Sequence, residues 1–375
     1  MVGLVALAVA MGIGRFAFTP LLPMMLHDGS VTLAQGSWLA TLNYIGYFFG
    51  AAICLFIRPD GARMVRIGLV ATALLTLAMA APSELWLWAI WRTASGVASA
   101  FVLVYTSGWC MQRLAEMGKP SWTGLIFCGP GIGIAVTGLV IFGLTALDLQ
   151  AGWGWALFGG LSVVLTVVVW PIFISVPPAQ GMASAAIPVA PRLNGEAWAL
   201  TIGYGIAGFG YIVTATFLPV IARQVLPGTL WADLFWPMFG VGSALGALAT
   251  LKLGAHHDNR KLLAIAYCVQ ALGVVLAIAW PTVAGFALSS VLTGLPFTAL
   301  VGFAMAEARR LWGPQAPRLM GLMTAVYGLG QIAGPPLAAA LVVRTGGFSV
   351  ALACAASALF VGVLIFVVMR YRFAT

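Results

Sequence analysis

Residues 2–26 read VGLVALAVAMGIGRFAFTPLLPMML, an apolar run carrying one charge, Arg15. At about 1.5 Å of rise per residue a helix of this length spans roughly 37 Å, more than the ~30 Å hydrocarbon core of a bilayer. Its apolar residues do not alternate with polar ones, so it is not a barrel strand. In lipid the backbone must satisfy its own hydrogen bonds, which a helix does. Arg15 then lies roughly 18 Å deep, near the midplane. Burying a guanidinium there costs on the order of 3 kcal/mol on insertion scales, so such a residue normally faces a wet cavity or a partner.

Working outward, the same reading gives spans at about 37–57, 64–81, 85–111, 122–147 and 153–176, and then at 197–222, 231–251, 262–280, 283–306, 319–343 and 348–369. Hydrophobic residues make up 62% of the chain and charged residues 7%, against about 45–50% and 25% in soluble domains. So few charges cannot cover a water-facing surface, and lipid is the expected solvent. The fold class expected is an all-α membrane protein of twelve transmembrane helices. A Pro-, Ala- and Ser-rich break at 177–196 divides it into a six-helix bundle over 1–176, a linker, and a second bundle over 197–375.

The two bundles repeat. Gly12-x-Gly14 followed by Leu22-Pro23 recurs 196 residues later as Gly208-x-Gly210 followed by Leu218-Pro219. Gly46 and Gly50 recur as Gly242 and Gly246, and Gly124, Gly131 and Gly133 match Gly321, Gly328 and Gly330. Any one match is weak, but register kept over four spans points to duplication. Parallel six-span repeats place a solute site between the halves near the midplane. The paired glycines at 46/50 and 242/246 are expected to bring the halves into close contact, and Gly129-Pro130 to bend the fifth span.

Of the 18 Lys and Arg, only Arg223 and Arg344 fall on the side opposite the termini and only Arg15 and Arg92 inside spans. The rest line the terminus side. The positive-inside rule therefore puts both termini and the linker in the cytoplasm. The same placement explains the net charge of +9 without a nucleic-acid partner. Cys54, Cys110, Cys128, Cys268 and Cys354 all lie within spans and read as small apolar fillers rather than a disulfide framework. The N-terminus lacks the basic region of a cleavable signal peptide.

Several segments resemble the major facilitator superfamily. Arg92-x-x-x-Gly96-x-x-x-Ala100 looks like its fourth-span motif, and Gly124 to Gly133, with Gly129-Pro130-Gly131, like the fifth-span motif associated with antiporters. Asp60 and Arg63 match part of the gating motif that the family keeps after span two, although Gly61 stands where Arg is usual. The opening segment, residues 12–23, is similar to the bacterial YbfB/YjiJ-type branch. The resemblance implies alternating access in a bacterial inner membrane, gating by Asp60, Arg63, Gly129 and Pro130, and spans one and four on the central cavity.

For chemistry the spans offer little besides arginine. Acidic residues and histidines fall in loops or at span ends, so neither a metal site nor an acid–base pair is expected. No cofactor and no enzymatic activity are inferred. Arg15 and Arg92 can serve as planar forks for a carboxylate or phosphate. Arg92 can equally tie helices together. By the repeat, Arg15 maps to Tyr211 and Arg92 to Ser290, so one wall is cationic and the other hydroxylic. Helical spacing extends the candidate binding set to Thr19, Trp88 and Thr214; each Ser or Thr can instead bond back to its own helix. Trp38, Trp86, Trp122, Trp153 and Trp231 suit an interfacial belt. The function expected is a monomeric transporter, secondary active or facilitative, of a small organic anion. A proton is a candidate coupling ion, for which Asp148 and Asp233 at the rim are weak sites. The rivals are efflux of hydrophobic compounds, or a membrane scaffold or sensor, the latter disfavoured by the absence of a soluble domain longer than the linker.

Overall fold

The computed structural model describes residues 1–57, 59–81, 84–175, 193–253 and 257–372; the linker read at 177–196 lies outside them up to residue 192. Among the described residues there are helices and short connections and no strand. In chain order the helices are α1 Val2–Leu7, α2 Phe18–His27, α3 Leu33–Phe56, α4 Gly61–Ala78, α5 Leu85–Glu116, α6 Cys128–Ala146 and α7 Ala151–Val169. Then follow α8 Gly195–Val225, α9 Phe235–Leu253, α10 Asn259–Ala279, α11 Val283–Trp312, α12 Ala316–Thr345 and α13 Ser349–Arg372. Among the described residues, eleven helical segments are long and apolar enough to cross a membrane. The 24-residue α3 stands beside them, packed against α5 and α12.

Local chemistry sets the helix ends. Thr32 accepts from the Gln35 N–H while the Gln35 side chain accepts from the Thr32 N–H, a capping box of the kind that closes two orphan donors at once. Asp60, Asn194, Asp258 and Thr282 cap α4, α8, α10 and α11. With Asn194 as its cap, α8 starts inside the expected linker. The five belt tryptophans are all more than half exposed.

The structure corrects four expectations. The first span is not one helix: α1 runs into a π segment, Ala8–Ile13, and a turn at 14–17 before α2. Gly129-Pro130 does not kink a helix; a 3-10 segment, Pro120–Phe127, precedes α6 and leaves Pro130 in its first turn, where a missing N–H costs least. Glu307, expected just past the end of its span, lies within the longer α11 and is fully buried, ion-paired with Arg310 and Arg260.

The fourth correction concerns the paired glycines. A Cβ on Gly46 or Gly50 would strike Thr93 or Val97 of α5, and one on Gly242 or Gly246 would strike Val291 or Leu295 of α11. Both pairs therefore seat neighbours from the same stretch of chain, not helices from opposite sides of the linker. The close approach across it is made by α6 and α9, where a Cβ on Gly131 would lie 2.7 Å from the Gly240 carbonyl oxygen. Also joined across it are α3 with α12 and α2 with α8.

Candidate functional site

The break in the first span builds the site. Gly14 and Phe16 donate to the carbonyls of Val9 and Met11, five residues back, at 2.8 and 3.1 Å, so the helix widens. Pro20 has no N–H to offer the Phe16 carbonyl, which takes Thr19 N–H instead at 3.2 Å. Carbonyls released in this way must find donors or cost about 1–3 kcal/mol each. One face of α5 supplies them. Ser99 donates to the Ala10 carbonyl at 2.9 Å and Ser95 to that of Gly14 at 3.0 Å. Arg92 donates through Nη1 to Gly14 at 3.2 Å and through Nη2 to Arg15 at 3.3 Å. Its guanidinium rests 4.8 Å from the Phe18 ring. The fourth-span arginine thus stitches the broken first span to α5.

Arg15 is left with its side chain pointing the other way. It is 3% exposed, and among the described residues no carboxylate pairs with it. Nη2 donates to Gln331 Oε1 of α12 at 2.8 Å, while Nε has no partner. The guanidinium carbon lies 4.0 Å from the Tyr47 ring centroid, 5.0 Å from Tyr44 and 5.4 Å from Phe16. Cation–π contacts of this kind are worth about 2 kcal/mol or more when desolvated, and they hold a charge without neutralising it.

Opposite, Gln331 Nε2 donates to the Tyr211 hydroxyl. Tyr211 stacks on Tyr327 and Tyr327 on Tyr204, with centroids 5.9 and 4.8 Å apart. Arg15 and its repeat partner Tyr211 therefore meet through one amide. Thr19 donates to the Ala215 carbonyl of α8 at 2.7 Å, and Tyr44 meets Thr216 of α8 at 3.1 Å. Thr214 and Trp88 are buried with hydroxyl and indole N–H unpartnered. Ser290 bonds back to Phe286 on its own helix at 2.6 Å, the bland option weighed for it. Of the residues expected to gate, Asp60 caps α4 and accepts from Ser175, whereas the Arg63 side chain is exposed. Asp233 near the rim is paired with Arg223 at 2.7 Å, and Arg223 also reaches Thr145.

Sequence reasoning missed Gln331, Tyr44 and Tyr47. Gln331 carries its own signal, an amide in the middle of an apolar span where lipid offers it no partner; Tyr44 and Tyr47 meet Arg15 through their ring faces, which spacing within the first span does not show.

The family model described as "Uncharacterised MFS-type transporter YbfB" matches residues 7–367. The Escherichia coli (strain K12) cyanate transport protein CynX is 24% identical over 175 residues, which are 44% of this chain and 44% of that protein. The alignment thus spans less than half the length of that relative. Crystal structures of the nucleoside transporter NupG superpose over 98% of both chains at 16% identity, with TM-scores of 0.77 for a point mutant and 0.74 for NupG itself. The fold is that of these transporters, and the chain belongs to the YbfB family of major facilitator transporters.

Proposed function

We propose that the protein carries a small organic anion across the bacterial inner membrane by alternating access, with Arg15 as the group that holds the charge. The observation that carries this reading is a buried guanidinium without a carboxylate partner among the described residues. An ionised side chain is seldom buried unpaired, and a cargo that supplies the missing charge resolves the deficit. In this reading Tyr211, Thr19 and Thr214 supply hydroxyls to the cargo, Trp88 and Ser290 line its path, and Arg92 positions Arg15 by fixing its backbone. The partial similarity to a cyanate transporter accords with a small anionic cargo.

Twelve spans in two six-helix halves, 1–176 and 197–375, frame the site. Supporting the duplication are matched contacts. A Cβ on Gly133 would lie 2.7 Å from Gly12, as one on Gly330 would lie 3.1 Å from Gly208; the Gly96 position faces Asn43 as the Gly294 position faces Phe239. Asp60, Arg63, Gly129 and Pro130 serve gating, and both termini are cytoplasmic. A cysteine placed at Ser184 should then label in intact cells only after permeabilisation.

The test of the site is Arg15→Gln with Arg15→Lys. Gln should weaken anion binding by about 2–3 kcal/mol, the loss of a charged hydrogen bond, and Lys should recover part of it, lacking the planar fork. A Gln variant that folds and binds anions with wild-type affinity removes the anion site. Stronger binding of neutral hydrophobic compounds by that variant would favour efflux instead.

A further inference from the structure

Gln331 is the least expected residue at the site. An arginine can only donate, so the atom facing Arg15 Nη2 at 2.8 Å is the amide oxygen, and the amide nitrogen must donate to Tyr211. That fixes the carboxamide in one orientation. It presents to Arg15 a planar sp² carbon bearing an oxygen, the shape of half a carboxylate without its charge. A neutral acceptor bonds roughly half as strongly as an ionised one, and it offers one oxygen to a fork that can engage two. The unpartnered Arg15 Nε marks the donor left over. Beyond the amide, Tyr211, Tyr327 and Tyr204 stack in near-parallel succession, their ring planes 21° and 23° apart, and Phe297 packs against Tyr211 with centroids 4.9 Å apart.

Resting on the anion reading above, we propose that the Gln331 carboxamide is a built-in stand-in for the cargo. A planar carboxylate displaces it from Arg15. Gln331 thereby sets selectivity. Only a group that binds the fork better than a neutral amide can displace it, which favours ionised carboxylates over their amides and esters. The amide also satisfies part of Arg15 in the unloaded protein and keeps the empty site folded.

The experiment uses the full-length protein in detergent, with benzoate as probe and benzamide as its uncharged isostere. Melting temperature and binding are read on wild type, Gln331→Leu, Gln331→Glu and Arg15→Gln. Benzoate and not benzamide should raise the wild-type melting temperature. Leu removes the competing oxygen, so the unloaded protein should melt lower yet bind benzoate about threefold to tenfold more tightly, the scale of one modest hydrogen bond. Glu supplies a permanent carboxylate, so the unloaded protein should melt higher and benzoate affinity fall by at least about tenfold. A merely structural glutamine would lower melting in both variants without this opposite movement of affinity. Benzoate that shifts neither wild type nor the Leu variant overturns the proposal, as does wild-type affinity in both Gln331 variants while Arg15→Gln loses it. If Arg15→Gln binds benzoate as well as wild type, the anion reading itself fails.

Discussion

The segments at 2–27 and 195–225 share one sequence pattern and differ in structure. Both carry Gly-x-Gly and, ten residues on, Leu-Pro-x-x. Residues 195–225 form one continuous α-helix, α8, which tolerates Pro219, whereas residues 2–27 pass through a π segment and a turn. Two local differences account for the divergence. Pro20 removes a donor where α8 has Thr216, and α5 faces the break with Arg92, Ser95 and Ser99. At the position matching Arg92, α11 offers Ser290, which serves its own helix. The broken copy exposes backbone carbonyls that α5 must satisfy, and in exchange it turns Arg15 out of the stack toward α12. A straight helix positions a tyrosine there; a broken one presents a cation.

Imposing the proline on the intact copy tests that account most severely. Thr216→Pro should cost about 3 kcal/mol or more, because it deletes an interior helix bond and clashes with the preceding turn; Thr216→Ala, which loses only the Tyr44 contact, should cost about 1 kcal/mol. The reverse change, Pro20→Ala, should move the melting temperature little, since the Thr19 N–H already takes the Phe16 carbonyl and α5 still holds those of Ala10, Gly14 and Arg15. A Thr216→Pro protein as stable as Thr216→Ala would show that the two copies differ for some reason other than proline.

The stitching by α5 comes next in size. Arg92→Leu strips donors from Gly14 and Arg15, and relief of a buried charge offsets part of the loss, leaving a net cost of about 2–3 kcal/mol. Arg92→Lys should recover under half, because one ammonium cannot span two carbonyls as the fork does. Ser290→Ala, the matching change in the other copy, should cost less than about 1 kcal/mol. Equal melting temperatures for Arg92→Leu and Ser290→Ala in detergent would refute the stitch.

How far this was legible in the sequence follows from the same contrast. Long apolar runs, span order and the repeat depend on composition and length, which local sequence carries. Arg15 stood out because lipid penalises charge. The break did not stand out, since π turns arise from donors on another helix; only Pro20, without a counterpart in the repeat, hinted at it. The glycine pairs were legible as contact sites but not as to partner, because a small residue says that something comes close and not what. Gln331 depends on a residue 316 positions away, beyond any periodicity.

Carried to the terminus-side ends of the two copies, the comparison yields its smallest effect. Asp60 and Asp258 stand 198 positions apart, the same offset as Arg92 and Ser290, and each caps a helix with its carboxylate: Asp60 accepts from the Ala62 N–H at 2.9 Å, Asp258 from that of Arg260, also at 2.9 Å. Asp258 adds ion pairs to Arg260 and, at 3.8 Å, to Arg370; Asp60 adds the Ser175 hydroxyl. The Ser175 bond, aided by the Ala62 and Arg63 amides, holds the Asp60 carboxyl below the usual 3.8 despite some burial. A carboxyl depressed in the folded state stabilises fully above its unfolded value and loses that contribution as pH falls through its folded one. The Asp60 contribution should therefore be flat from pH 7 to about 4 and decline below that. Asparagine caps a helix nearly as well as aspartate. Asp60→Asn at pH 7 should thus cost only a few tenths of a kcal/mol, the charge–dipole part, and Asp258→Asn somewhat more. Melting curves of the two variants and wild type at pH 7 and pH 3.5 check the ordering, and the gap between Asp60→Asn and wild type should narrow at the lower pH. A gap that widens on acidification would mean that the carboxylate is not the form the fold prefers. If Asp60→Asn also slows transport at pH 7 while barely changing stability, the gating role assigned to the loop gains the support that its fold energetics alone do not give it.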